Sequence, residues 1–330
     1  MSENPSYNQI LQGGVETTLF TAVAATKRFR SFGIEVDPQV EVDEYTPDGN
    51  LFPSSQALTQ EWTEGDMSGI LTFTEIVYAL TNAFGPATIS TPGGGTLSRD
   101  WKWTIQPNSL LVPKGFTYEK GNSVYAVRIV GAIMNALNIA WKRTDRIEIG
   151  GSVLAKAIVL GHTMTTIGAS PTVPLLRVLP QMITVKTATT WGGLTAASAL
   201  TRAFEAEISL DGFFNPIWPL NAAASGHDGY VPVKPDSDFS LQLMANSTGM
   251  AFLTNLRNGD LVYNRVEAVG PIIEAAIPYK IRVDVSSQVK DVDSFDDNDG
   301  LYVIPYTFSP IDDGTNPALE ITVTNNLSAL

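Results

Sequence analysis

The run Phe32-Gly-Ile-Glu-Val-Asp-Pro-Gln-Val-Glu-Val-Asp-Glu-Tyr45 alternates apolar and mostly acidic side chains. Successive side chains of a strand point to opposite faces, so Ile34, Val36, Val40 and Val42 share one face while Glu35, Asp37, Gln39, Glu41 and Asp43 share the other. The spacing predicts a strand with one face in a core and one in solvent. Same-face neighbours stand about 7 Å apart, where two carboxylates repel by about 0.6 kcal/mol even at the dielectric of water. A solvated strand face normally mixes signs, and this one carries no lysine or arginine. The pattern returns over residues 204–211, where Ala206, Ile208 and Leu210 alternate with Glu205, Glu207, Ser209 and Asp211. A polar face of one sign, present in both halves, is what a channel wall requires.

The rest of the chain reads as β-structure arranged twice. Residues 1–25 mix polar and small side chains around Gln12-Gly-Gly14 and suggest an arm or a short first strand. Thr46-Pro-Asp-Gly-Asn50 has turn chemistry, with a loop expected over 52–62. Ile76, Val77, Leu80 and Phe84 at helical spacing, followed by Gly85-Pro86, predict a helix over 74–84. A hairpin is expected over 87–105, a strand over 123–130, and strands over 146–149 and 153–160 on either side of Gly150-Gly151. Pro171, Pro174 and Pro180 mark 170–190 as the crossing. Beyond it the order repeats, with a strand over 203–211, a helix over 248–256, strands over 279–285 and 300–308, and a closing strand over 318–325. The expected division is a first domain at 1–170, a linker at 171–190 and a second domain at 191–330.

Composition bounds the function. A chain of 330 residues, 44% hydrophobic and 17% charged, is globular. Its net charge of −13 argues against a protein that grips DNA, because that grip comes from Lys and Arg displacing counterions. Absence of cysteine excludes disulfides, thiol chemistry and thiolate metal sites. Met1-Ser-Glu-Asn-Pro-Ser6 has neither the basic region nor the apolar core of a secretory signal. The longest apolar stretch, 129–141, is too short to span a bilayer and contains Asn135 and Asn138.

Catalytic and metal readings find little support. The two histidines, His162 and His227, are far apart and are expected on the surface or in loops. In Asp293-Ser-Phe-Asp-Asp-Asn-Asp-Gly300, setting Gly300 as the sixth position of a calcium loop puts Phe295 first and Tyr306 twelfth, so both essential carboxylates are missing. That run is expected to be an acidic turn. Pro92-Gly-Gly-Gly95 lacks the Gly-Lys-Ser/Thr of a phosphate loop. A glycosidase needs two acids facing each other across a cleft, which a row on one strand does not supply. No enzyme, cofactor or metal is expected.

The chain resembles the tail tube proteins of long-tailed, non-contractile bacteriophages. The resemblance lies in the early Gln12-Gly-Gly-Val-Glu-Thr-Thr18 arm and the acidic first strand. It also lies in the closing run Ile281-Arg-Val-Asp-Val285, Asp296-Asp-Asn-Asp-Gly-Leu-Tyr-Val-Ile-Pro-Tyr-Thr-Phe308 and Leu319-Glu-Ile-Thr-Val-Thr-Asn-Asn326. It implies mainly β chains built of β-sandwich domains, each with a flanking α-helix, whose sheets join edge to edge into a ring-shaped inner β-barrel. Rings of such proteins stack into a tube around a tape measure protein, with tail terminator and distal tail proteins at the ends. Two tube domains per chain imply a homotrimeric, pseudo-hexameric ring, and one enlarged domain a homohexamer. The expected role is therefore a virion structural protein, made in the host cytoplasm, that conducts genomic double-stranded DNA without binding it. Glu35, Asp37, Glu41, Asp43, Glu205, Glu207 and Asp211 are the proposed lumen-facing acids, and residues 2–18 and 50–62 the proposed ring-to-ring contacts. The alternatives are another virion part, such as a capsid, head-completion or baseplate-hub protein, and a carbohydrate-active β-domain.

Overall fold

The computed structural model describes residues 9–106, 108, 110–143, 145–166, 172–220 and 226–330. It is mainly β. The first half gives β1 (Ile10–Val15), β2 (Lys27–Phe29), β3 (Phe32–Tyr45), β4 (Ser55–Ile70), α1 (Ile76–Phe84), β5 (Thr88–Ser90), β6 (Arg99–Ile105), β7 (Phe116–Gly121), β8 (Ala126–Met134), β9 (Ala136–Lys142), β10 (Glu148–Ala155) and β11 (Ala157–His162). The second gives β12 (Ile183–Ala188), β13 (Ala203–Asp211), β14 (Phe214–Ile217), β15 (Gly229–Pro232), β16 (Asp236–Met244), α2 (Ser247–Asn258), β17 (Leu261–Glu274), β18 (Ile277–Val292), β19 (Asp296–Asn298), β20 (Leu301–Pro310) and β21 (Leu319–Asn325).

One antiparallel sheet runs through both halves in the order β3-β4-β10-β9-β13-β16-β20-β18. The halves meet inside it, where β9 pairs with β13 from Ala136↔Asp211 to Lys142↔Glu205. Around it the pairings follow the same order twice. In the first half β1 pairs β7, β7 pairs β8 and β8 pairs β11; in the second β12 pairs β17, β17 pairs β18 and β18 pairs β21. The second half keeps as one long strand, β18, what the first half breaks at Asn135 into β8 and β9.

Period-two patterning explains which face of the sheet is sealed. Ile34, Met67, Val153, Leu137, Ile139, Ile208, Leu210, Phe239, Leu241, Tyr306 and Phe308 are all buried, and they join one apolar cluster that spans both halves. Helix α1 is buried along its whole length. Just before it, the buried Glu75 carboxylate accepts the N–H groups of Arg30 at 3.0 Å and Ser31 at 2.8 Å, which fixes the corner from which β3 departs. Burial pushes the Glu75 carboxyl above its ordinary range against those hydrogen bonds. Helix α2 is capped at its start by the Asn246 side chain, which accepts from Thr248 and Gly249, and at its end by Gly259 at φ 67°. Phe252 anchors it on Tyr306 and Phe308.

Several expectations are corrected. The loop over 52–62 is in large part strand, because β4 starts at Ser55 and pairs β3 as far as Tyr45↔Ser55. The glycines at 150–151 lie inside β10 instead of at a turn: a Cβ on Gly151 would stand 1.9 Å from the Ala136 carbonyl, so only glycine lets the two backbones approach. Of the two readings of 1–25, an arm or a short first strand, residues 10–15 take the second: they form β1, held between β2 and β7, while residues 1–8 lie outside the described residues. Residues 183–188 of the expected crossing form β12, and Val173 and Val178 before them are buried; residues 170 and 171 lie outside the described residues.

Substituting Gly151 by alanine is expected to destabilise the chain by about 1–3 kcal/mol through overpacking. Urea unfolding followed by tryptophan fluorescence reads this, and an unchanged midpoint would mean that the close approach of β10 to residue 136 carries no constraint.

Candidate functional site

The unsealed face of the long sheet is where the acids gather. A straight row of opposed residues, Gly33, Ser68, Gly150, Asn138, Ser209 and Asp238, crosses six strands of both halves. Directly opposed residues share a face, so Glu35 and Asp37 on β3 lie on the same side as Glu205, Glu207 and Asp211 on β13. The two stripes read from the sequence therefore belong to one surface.

The register adds acids to them. Glu35 stands opposite Asp66, Asp37 opposite Glu64, and Asp211 opposite Asp236. Like charges directly opposed destabilise a strand pair. Three such pairs on one face mean that stability of the isolated chain did not select them. Glu64, Asp66 and Asp236 were missed in the sequence reading, although Asp236-Ser-Asp-Phe-Ser-Leu-Gln-Leu243 has the same alternation as the two stripes.

Cations offset part of this charge. Lys142 pairs Glu205 at 2.7 Å, Lys290 pairs Asp238 at 2.9 Å and Lys120 reaches Glu35 at 3.4 Å. The hydrogen bond to Glu205 holds Lys142 above the ordinary lysine range. Asn138 Nδ2 donates to Glu207 at 2.5 Å. Among the described residues, Asp37, Glu64, Asp66, Asp211 and Asp236 form no ion pair.

Glu41 and Asp43 have a different setting. The outer part of the β3–β4 hairpin stands clear of the core, so Val40 and Val42, expected to be sealed, are 56% and 37% exposed. Among the described residues no second layer covers the hairpin there, and period two sorts side chains without burying either set. Trp62 packs edge-on against Trp218 with centroids 6.0 Å apart, and Glu61 bridges to Gly226, so the base of the hairpin is braced. Its tip exposes Leu51 and Phe52.

His227 lies in a loop, one of its two expected settings, and is buried there among Phe20, Trp218 and Tyr230, and burial pushes its pKa down. His162 sits 3.1 Å from the buried Glu119, which also accepts from Gln12 at 2.6 Å and from the Thr165 N–H at 2.8 Å. Burial raises the Glu119 pKa, and the hydrogen bonds outweigh it and hold the carboxyl low. The run 293–300 forms β19 and a hairpin turn in which Asp297 accepts the Gly300 N–H at 3.0 Å. Among the described residues no group of three His, Asp or Glu is placed to hold a metal. No helix of the described residues is long and apolar enough to cross a membrane.

The sequence model of a family described as phage tail tube protein matches residues 8–242. The chain belongs to the phage tail tube protein family. The match takes in both acidic stripes and the β9·β13 junction, and it ends before the closing run 281–326 on which the resemblance also leaned. No curated protein matches the chain. Membership makes the protein a structural component of a phage tail, from a family whose members assemble into a tube.

Asp236→Asn removes one opposed pair and is expected to stabilise the isolated tail tube subunit by a few tenths of a kcal/mol at low salt. In 1 M salt, where the Debye length falls to about 3 Å, the gain should vanish. A gain that survives high salt, or a loss at low salt, would show that repulsion across this pair is not what the substitution relieves.

Proposed function

We propose that the chain builds the tail tube of a long-tailed, non-contractile phage as stacked rings, with the acidic face of the long sheet lining the channel through which the genome enters the host. The observation that carries this reading is the common face on which Glu35, Asp37, Glu205, Glu207 and Asp211 meet Glu64, Asp66 and Asp236 from strands of both halves. A basic wall would bind phosphates at every ring by releasing counterions, and the duplex would stall. A wall of carboxylates repels the same phosphates and keeps the duplex centred. Glu41 and Asp43 continue the stripe along β3 beyond the body of the sheet.

The repeated pairing order supports treating each half as one tube domain, the expected 1–170 and 191–330, with β12 (Ile183–Ala188) of the expected linker 171–190 belonging to the second by its pairing with β17. Six domain positions then need three chains, and the β9·β13 junction already joins two positions within each chain. A ring of six chains would follow if the whole chain counted as one domain. A tape measure protein in the lumen, with terminator and distal tail proteins at the tube ends, completes the partners this role brings. The site of action is the virion tail, after synthesis in the host cytoplasm.

Stacking is assigned to the hairpin tip. Leu51 is 92% and Phe52 78% exposed, and covering each would contribute about 1.5–3 kcal/mol. Residues 10–15 of the expected contact segment 2–18 form the strand β1 between β2 and β7 and take no part in this assignment.

Two measurements test the reading. Asp66→Lys combined with Asp211→Lys changes exposed side chains and should leave tubes that form, seen by negative-stain microscopy, while slowing DNA ejection severalfold from phage carrying them. Ejection at the normal rate would remove the electrostatic role of the face. Leu51→Ser with Phe52→Ser should leave single rings in place of tubes; full-length tubes would clear the tip of any part in stacking.

A further inference from the structure

We infer that the outer edge of β3 pairs with the free edge of β18 in a second copy of this chain, in the register already used inside the chain by β9 and β13. This deepens the tube reading, and rests on it, by naming the residues that join one copy to the next.

Both edges are open. Among the described residues β3 pairs with β4 alone. Pairing of β18 with β17 ends at Gln288, so residues 289–292 pair β20 on one side and, among the described residues, no strand on the other, although α2 packs against β18. Unpaired strand edges are templates for another strand.

The internal junction supplies the register. Ile34↔Met67↔Gly151 in the first half corresponds to Ile208↔Phe239↔Phe308 in the second. One residue further, Gly150 faces Asn138 and Thr307 faces Asp291; next, Ile149 faces Ile139 and Tyr306 faces Val292. Asp291 and Val292 thus hold the places of Asn138 and Ile139, while Glu35 and Ile34 hold those of Ser209 and Ile208. Because Asn138 pairs Ser209 and Ile139 pairs Ile208, Asp291 comes to stand opposite Glu35 and Val292 opposite Ile34.

Backbone direction agrees independently. In an antiparallel pair alternate residues turn their N–H and C=O toward the same neighbour. The Ile70 N–H donates to Ser31 O at 2.8 Å, so odd residues of β3 face β4 and Ile34 faces outward. The Asp293 N–H donates to Pro305 O at 3.1 Å, so Val292 faces away from β20. Its N–H donates to the Asp291 carboxylate at 2.8 Å. In the internal junction the Arg143 N–H donates to Phe204 O at 3.3 Å, which gives β13 the parity needed. Beside the β3 edge lies an open groove of about 640 Å³ lined by Ile34, Val36, Tyr125, Val127, Ile158 and Leu160, fit to receive the partner's apolar Val292.

The chain has no cysteine, so disulfides report the register cleanly. Glu35 and Asp291 are exposed, and at a non-hydrogen-bonded position their Cα atoms would lie about 4.5 Å apart, within disulfide range. Full-length E35C mixed with full-length D291C should yield a two-chain disulfide species on mild oxidation, and the E35C/D291C double variant a ladder that stops at three chains. D37C with D291C, slipped by two residues, should link at least tenfold less. If microscopy shows rings or tubes but E35C and D291C do not link, or the slipped pair links better, this register is wrong and the tube reading stands. Monomers with no linkage would overturn both.

Discussion

Backbone pairing between β9 and β13 is the interaction on which the molecule depends. Without it the edges of β9 and β13 would stand open and each half would carry an acidic stripe of its own. With it the two sheets become one, the two stripes fall on one face, and the apolar residues of both halves close into one cluster behind them. Hydrogen bonding along a strand edge is indifferent to side-chain identity. The same geometry can therefore be used within a chain and between chains.

Electrostatics run against stability on that face. Glu35 with Asp66, Asp37 with Glu64, and Asp211 with Asp236 are opposed pairs that a solvated sheet would mix with lysine. At about 5 Å in a water-like dielectric each contributes a repulsion of roughly 0.8 kcal/mol, small against the burial behind the sheet. Tyr306, Phe308, Phe239, Ile208 and Ile34 are each almost fully buried, worth about 1.5–3 kcal/mol apiece. The core can carry the repulsion, so folding does not dictate the sign of the charges on this face. Lys142, Lys290 and Lys120 show where the charge is locally trimmed.

The hairpin of β3 and β4 shows how one strand serves two settings. Over Ile34 and Val36 its apolar side faces the core; over Val40 and Val42 the same alternation stands in water, and Leu51 and Phe52 crown the tip. Glu75 holds the strand at its root, and the Trp62–Trp218 contact braces it where it leaves the body. A projecting, braced hairpin with an apolar tip suits a subunit made to be covered by its neighbours.

Local alternation and helical spacing were enough to place β3, β13, β21 and both helices, because side-chain period is a property of consecutive residues. The acidic stripes were legible for the same reason. What remained hidden depended on distant partners. The Gly150-Gly151 pair has turn chemistry, yet it lies in mid-strand because the backbone at Ala136 passes too close for a Cβ. His227 is buried by Phe20, Trp218 and Tyr230, two of which lie outside any nearby pattern. The chain by itself determined which residues are acidic in alternation and which are apolar; only the tertiary structure decided that the stripes share a face, since that follows from the register of β9 on β13, set between residues some seventy positions apart by packing that no local pattern encodes.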